Sequence, residues 1–303
     1  MLTDVIIVWR NFFFDNYELD VLQYLTINAF TYDSMLFRKS KENQNFEINL
    51  LSDQTLISHI SNSVRGGFVT LNESLTHFDN AFTVKDETKR KNLLENIYGL
   101  YLDVKMLYGS VMRGPLTIGD VREVLPFEID SIITKLRDVN FDPINSQYGY
   151  WLLVDLDSNS IDLQKLTDRY PFALTKENIT KKHISDYTSQ LLGKNGSSFT
   201  FSRLIGHHFK KDNYFLSGEN LHMYLKFGIQ LTKVHTIYIF KQTPWLRSYI
   251  DFNIEKRNNS NNSMENSLFK LMNNSIYGKF LCNPKSYAEK HSICTKKISF
   301  VSY

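Results

Sequence analysis

The chain has 303 residues, of which 42% are apolar and 22% charged, enough to bury a core in one large domain or two modest ones. That balance excludes a disordered tail and a collagen-like rod, and no apolar run approaches the ~20 residues of a spanning helix, so no membrane partner is expected. A formal net charge of +3 is too small to argue for a polyanionic partner, although ten Lys/Arg against four Asp/Glu fall between Lys241 and Tyr303. That local surplus suits either polyanion binding or a solvated basic surface.

The first forty residues carry mixed apolar periodicity and read as helices, with Asp4 opening the first. The start lacks a basic region and holds Asp4 inside its apolar stretch, so no secretory signal is expected. Cys282 and Cys294 have no paired ligands nearby and read as reduced thiols of an intracellular protein. Residues 86–97 form a charged surface segment. It leads into Ile97–Asp103, an apolar run that reads as a buried strand ending at an acid. Tyr148–Leu156 and Gln230–Phe240 read as two further strands. Beyond Pro244 come two helices, about Trp245–Arg257 and Met264–Phe280, the second opened by a capping box of Asn262 and Glu265 and stopped at Asn283-Pro284. The polar hinge Asn258–Ser263 is short, so these helices should lie antiparallel. Strands and helices mix without βαβ alternation, which gives an α+β class.

The second of those helices is the most informative segment. At about 100° per residue, Lys270, Asn274 and Tyr277 fall within roughly 60° of one another, while Leu268, Met272 and Ile276 take the opposite side. An ammonium, an amide and an aromatic ring in a row about 10 Å long suit a nucleotide: cation to phosphate, ring to base or sugar, amide to an edge. A surface helix with a scattered polar face is the plainer alternative. Upstream, Asp103 follows an apolar run, where a metal ion could be held, and Tyr108, five residues later on the following turn, could reach the same site; by itself such an acid is more often a turn former or helix cap. His207-His208 beside Phe209-Lys210-Lys211 suggests a metal or phosphate, against the simpler expectation of an exposed loop. Asp155 and Asp157 flank Leu156 but are not taken as ligands.

In this order the segments resemble two signature motifs of the family B DNA polymerases. The palm motif Asp-x-x-x-Leu-Tyr, followed by Pro or Gly, is matched by Asp103, Leu107, Tyr108 and Gly109. The fingers motif Lys-x-x-x-Asn-Ser-x-Tyr-Gly is matched without a gap by Lys270, Asn274, Ser275, Tyr277 and Gly278. The runs Val154–Leu156, Leu166–Leu174 and Lys241–Ile250 resemble the protein-primed branch found in mobile elements, linear plasmids and viruses. Arg65-Gly66-Gly67 is similar to the motif that touches the single-stranded template, and Met1–Val5, with Asp4, is similar to the tail of the third exonuclease motif.

The resemblance implies DNA-directed DNA synthesis from dNTPs on a primed template, through two Mg²⁺ ions held by two carboxylates. Asp103 would be the first metal ligand and Lys270 the catalytic cation on the triphosphate. Asn274 would position the nucleotide, Tyr277 and Gly278 would lie against the nascent base pair, and Tyr108 would sit under the sugar and exclude a 2′-hydroxyl. Arg65, Gly66 and Gly67 would contact DNA. The implied fold is part of a polymerase right hand, an antiparallel palm sheet with helical-hairpin fingers and no thumb. Residues 1–60 would be the end of an exonuclease module and 61–115 the first part of the palm. Residues 116–244 would be palm with an insertion that engages a terminal protein primer, 245–283 the fingers, and 284–303 the return to the palm. The second carboxylate of the family lies on an Asp-Thr-Asp hairpin that has no match here, so an incomplete product with little activity of its own is expected. A non-catalytic DNA- or protein-binding remnant is the alternative. Lys105-Met106 stands where this branch has small polar residues, and its effect is open. The compartment is open as well, among nucleus, viral factory and mitochondrion.

Overall fold

A computed structural model of the chain describes residues 2–70, 75–93, 95–158, 165, 170–191 and 201–281. Cys282, Cys294, the stop at Asn283-Pro284, the segment 284–303 and the part of the Leu166–Leu174 run before Tyr170 lie outside them. In chain order the principal elements are helices α1 (Leu2–Tyr17), α2 (Ile27–Glu42), α3 (Gln54–Ser63), α4 (Glu87–Lys91) and α5 (Leu107–Met112), strand β1 (Leu116–Glu123) and helix α6 (Ile129–Arg137). Strands β2 (Tyr148–Asp157) and β3 (Thr175–Ile179), helix α7 (Asp186–Leu191), and strands β4 (Phe201–Ile205) and β5 (Lys211–Ser217) follow. Helix α8 (Gly218–Lys226), strand β6 (Gln230–Thr243) and helices α9 (Arg247–Asn259) and α10 (Ser263–Phe280) complete the order. The class is α+β. The chain divides into two compact units, one from Met1–Ile48, Val104–Leu116 and the chain from Thr243, the other from Asn49–Asp103 and Thr117–Gln242.

The second unit is organised by a four-stranded sheet of order β1-β6-β2-β5, in which β2 runs antiparallel to both neighbours. Its central strand shows why a nearly continuous apolar run was needed. Successive side chains point to opposite faces, and both faces are covered. Tyr150, Leu152, Val154 and Leu156 pack with Ile132 and Leu136 of α6 and Leu221 of α8. Trp151 and Leu153 face the other way, beside Leu56 and Ile60 of α3. Each fully buried Leu of this kind contributes roughly 1.5–3 kcal/mol. At Gly149 a Cβ would lie 2.3 Å from the Phe240 ring, so only glycine lets that ring cross β2. A two-stranded antiparallel ribbon, β3 with β4, completes the unit.

The first unit is helical and aromatic. Phe13 of α1 meets Phe30 of α2 edge-on at 4.9 Å, and Phe12 meets Phe269 of α10 at 5.2 Å. Leu268, Met272 and Ile276 are buried, on the side of α10 assigned to packing by periodicity. The hairpin is antiparallel, because Arg257 bonds Asn266 while Asn253 bonds Asn273. Its first helix starts at Arg247 rather than Trp245; Trp245 and Leu246 are buried before it, and the Arg247 N–H donates to the Pro244 carbonyl.

The cap of α10 also differs from a simple capping box. Asn262 accepts from the Met264 N–H, but the Glu265 carboxylate accepts from the Ser260 hydroxyl, and Ser260 Oγ accepts from the Asn262 N–H. The serine thus relays the glutamate to the cap residue. Asn262→Ala is expected to lower stability by about 1 kcal/mol, read as a shift of the urea midpoint with unchanged slope.

Two expectations are corrected. Ile97–Asp103 is not a buried strand: it has no ladder partner among the described residues, and Leu100, Tyr101 and Leu102 are 78%, 93% and 78% exposed. An apolar run becomes a strand only where a neighbour takes its N–H and C=O groups, and here the Ile97 N–H reaches only the Asp79 carbonyl and the Ile97 carbonyl only the Asn80 amide. Asp4 lies in the first turn of α1, which runs from Leu2, in keeping with its reading at the start of that helix. The loop expected at His207–Lys211 holds for Phe209 and Lys210, which are exposed, but Lys211 opens β5 and is buried.

Candidate functional site

The exposed side of α10 carries the residues singled out by spacing. Lys270 and Asn274 are exposed and Tyr277 is half-buried, and neither the Lys270 ammonium nor the Asn274 amide has a partner among the described residues. Tyr277 is fixed from the side: its ring stacks on Tyr108, with centroids 4.1 Å apart and planes at 23°. The first unit therefore brings together a palm-motif residue and a fingers-motif residue far apart in sequence. Gly278 sits one step on, where an added Cβ would come no nearer than 3.5 Å to Asn28.

Tyr108 owes its placement to an unusual turn. Met106 precedes α5 with φ 56°, ψ 43°, a left-handed conformation costing an L residue roughly 1–2 kcal/mol. The Ser110 N–H closes the turn onto the Met106 carbonyl. Gly109 is buried, and a Cβ there would lie 3.2 Å from Met106 Cε and 3.7 Å from Ile250 Cγ2. A Cβ after Tyr108 would thus press on the end of the Met106 side chain and meet Ile250 of α9 at ordinary contact distance. Two buried asparagines that periodicity did not flag hold the hairpin beneath this face. Asn253 accepts from the Tyr17 hydroxyl at 2.7 Å and donates to Asn273 Oδ1 at 2.7 Å.

Asp103, the end of the first segment of the second unit, is exposed and has no ion-pair partner among the described residues. Lys105 is exposed too. No group of three or more His, Cys, Asp or Glu that could hold a metal occurs among the described residues. A single exposed carboxylate is an incomplete donor set for a pair of Mg²⁺ ions, so the described residues alone do not make up the metal site the sequence resemblance implies.

The template motif lies in the second unit. Gly66 takes φ +79°, and nothing lies within 4 Å of a Cβ built at Gly66 or Gly67, so this backbone is open to close approach. Arg65 is engaged inside its own unit: Nη2 donates to the Phe215 carbonyl at 2.9 Å, and the guanidinium lies 4.0 Å over the Tyr214 ring. Lys176 Nζ donates to the neighbouring Val64 carbonyl at 2.6 Å. Asp155 is structural, accepting from the Asn213 N–H and from His235, and those bonds hold its carboxyl below the usual range. Among the described residues no helix is long and apolar enough to cross a membrane.

Several solved structures of Phi29 DNA polymerase are similar to this chain. One holds primer-template DNA in a post-translocation binary complex (18% identity, TM-score 0.45, 86% of this chain and 36% of that one). Another is an orthorhombic crystal form (16% identity, TM-score 0.46, 84% and 36%). A third is a ternary complex with primer-template DNA and incoming nucleotide substrates (18% identity, TM-score 0.42, 86% and 36%). The chain thus spans 36% of the length of those polymerase chains. No curated protein matches it. The profile of one family, DNA polymerase type B, organellar and viral, matches residues 1–298, and this chain belongs to that family.

Proposed function

We propose that the chain is the nucleotide- and template-binding part of a DNA-directed DNA polymerase of the protein-primed type. The observation that carries this reading is the α10 face, an ammonium and an amide without partners among the described residues, in line with a ring stacked on Tyr108. The triphosphate of an incoming dNTP would meet Lys270, Asn274 would orient it, and the base pair would lie against Tyr277 and Gly278. Tyr108, beside Tyr277, would face the sugar; Tyr108→Ala is expected to narrow the preference for dNTP over rNTP by about tenfold or more, measured by competition binding. Arg65, Gly66 and Gly67 would approach the template backbone. The boundaries 1–60, 61–115, 116–244 and 245–283, and an engagement of 116–244 with a terminal protein, belong to the same proposal.

Asp103, without a second acid gathered beside it among the described residues, favours a second reading, in which the chain binds DNA or protein without transferring nucleotides. One assay separates the two. Labelled dNTP incorporated into a primed template above an Asp103→Ala control establishes synthesis by this chain. Template-dependent retention of dNTP without incorporation leaves binding as its function. The expected outcome for the 303-residue chain is retention with little or no incorporation. Absence of both retention and incorporation contradicts the proposal.

A further inference from the structure

A second group of polar side chains lies entirely within the second unit and carries none of the polymerase motifs. Lys211, the first residue of β5, is 5% exposed. Its Nζ lies 2.7 Å from Nδ1 and 2.9 Å from Nε2 of His207, so the amine sits against the imidazole. The same His207 Nε2 is 2.9 Å from Thr175 Oγ1 and 3.7 Å from the Glu177 carboxylate. No carboxylate among the described residues is within ion-pair distance of Lys211 itself. Lys211 and His207 border a cavity of about 120 Å³, lined also by polar Thr70, Ser158 and His208 and by apolar Leu156 and Phe172.

Desolvation is the larger influence on the Lys211 amine, lowering it to about 8 against the opposing pull of Glu177. Burial, then the neighbouring Lys211 charge, lowers His207 as well. At neutral pH the wall of the cavity is therefore a desolvated ammonium in contact with an uncharged ring. A buried charge without a contacting counter-charge is an unfavourable arrangement, and an anion in the adjoining space relieves it through a charge-assisted hydrogen bond. The volume exceeds what one water needs.

We infer that this cavity binds a small oxyanion of the phosphate class, seated on the Lys211 ammonium beside His207. A free inorganic phosphate and a phosphodiester of a nucleic-acid strand share this chemistry. The inference stands apart from the polymerase reading, because it uses no residue of the α10 face or of the Arg65 motif.

Calorimetric titration of the full chain with inorganic phosphate at fixed ionic strength tests it. Saturable binding is expected, weakened at least about tenfold in Lys211→Met, with His207→Gln keeping most of the affinity because the ammonium remains. Equal binding by Lys211→Met, or no binding by the unaltered chain at millimolar phosphate and no effect of either probe below, overturns the inference. A second measurement needs no variant: acetylation of the unaltered chain, read by mass spectrometry residue by residue. Phosphate should slow modification of Lys211 and leave exposed lysines such as Lys210 unchanged. Protection by a single-stranded oligonucleotide but not by phosphate assigns the site to a phosphodiester. Protection by neither overturns it.

Discussion

Lys270→Ala is expected to weaken dNTP binding by roughly 10- to 100-fold, the loss of a hydrogen-bonded charge partner for the triphosphate. The prediction is specific because Lys270 is exposed and has no ion pair to lose among the described residues, so truncation removes a ligand contact without opening a cavity. Thermal stability should therefore stay unchanged while affinity falls. Lys270→Arg should retain part of the binding, since the charge remains but the fork of donors replaces a compact ammonium. Equal affinities for Lys270→Ala and the unaltered chain, measured by filter retention of labelled dNTP on primed template, would place the triphosphate elsewhere.

Asn253→Ala is expected to destabilise the helical unit by about 2–5 kcal/mol, because it leaves two buried partners unsatisfied at once. Asn253 is fully buried. It joins α1, through the Tyr17 hydroxyl, to α10, through Asn273. Burial, followed by the nearby Tyr249, keeps the Tyr17 phenol protonated well above its usual range, so the hydroxyl remains a donor that needs its acceptor. Asn253→Asp restores the acceptor but places an acid in the core, so it should not rescue stability at neutral pH. The effect also bears on the site, since Asn273 lies on the same helix as Asn274 and loss of the bond frees the hairpin to shift. Chemical denaturation followed by tryptophan fluorescence measures it, and a change below about 1 kcal/mol would mean that the amide network contributes little.

Much of the helical unit could be read from the sequence, because its signals are local. The 3.6-residue period of α10 separates Leu268, Met272 and Ile276 from Lys270, Asn274 and Tyr277, and burial follows that division. Two of the four strands of the central sheet, β2 and β6, were legible for the same reason, as long β-branched and aromatic runs, whereas β1 and β5 were not read from the sequence. The failures are non-local. Ile97–Asp103 has a strand's composition but no neighbour to complete its ladder, and composition carries no information about pairing. Burial of Lys211 follows from where β5 enters the sheet, which a run of His and Lys does not disclose. The stack of Tyr108 on Tyr277 was implied only by both residues belonging to motifs of one family; helical periodicity alone put Tyr277 on a face and said nothing of what lies beside it. The left-handed Met106 had no sequence signal at all, since methionine seldom adopts that conformation.

The central claim is that one nucleotide sits on the α10 face beside Tyr108. Photo-crosslinking of an azido-dATP to the full chain with primed template, followed by peptide mapping, tests it most directly. The account requires label on the peptides holding Tyr108 and Lys270–Gly278, competed by unlabelled dNTP and lost in Lys270→Ala. Competable label confined to peptides outside both motifs would contradict it.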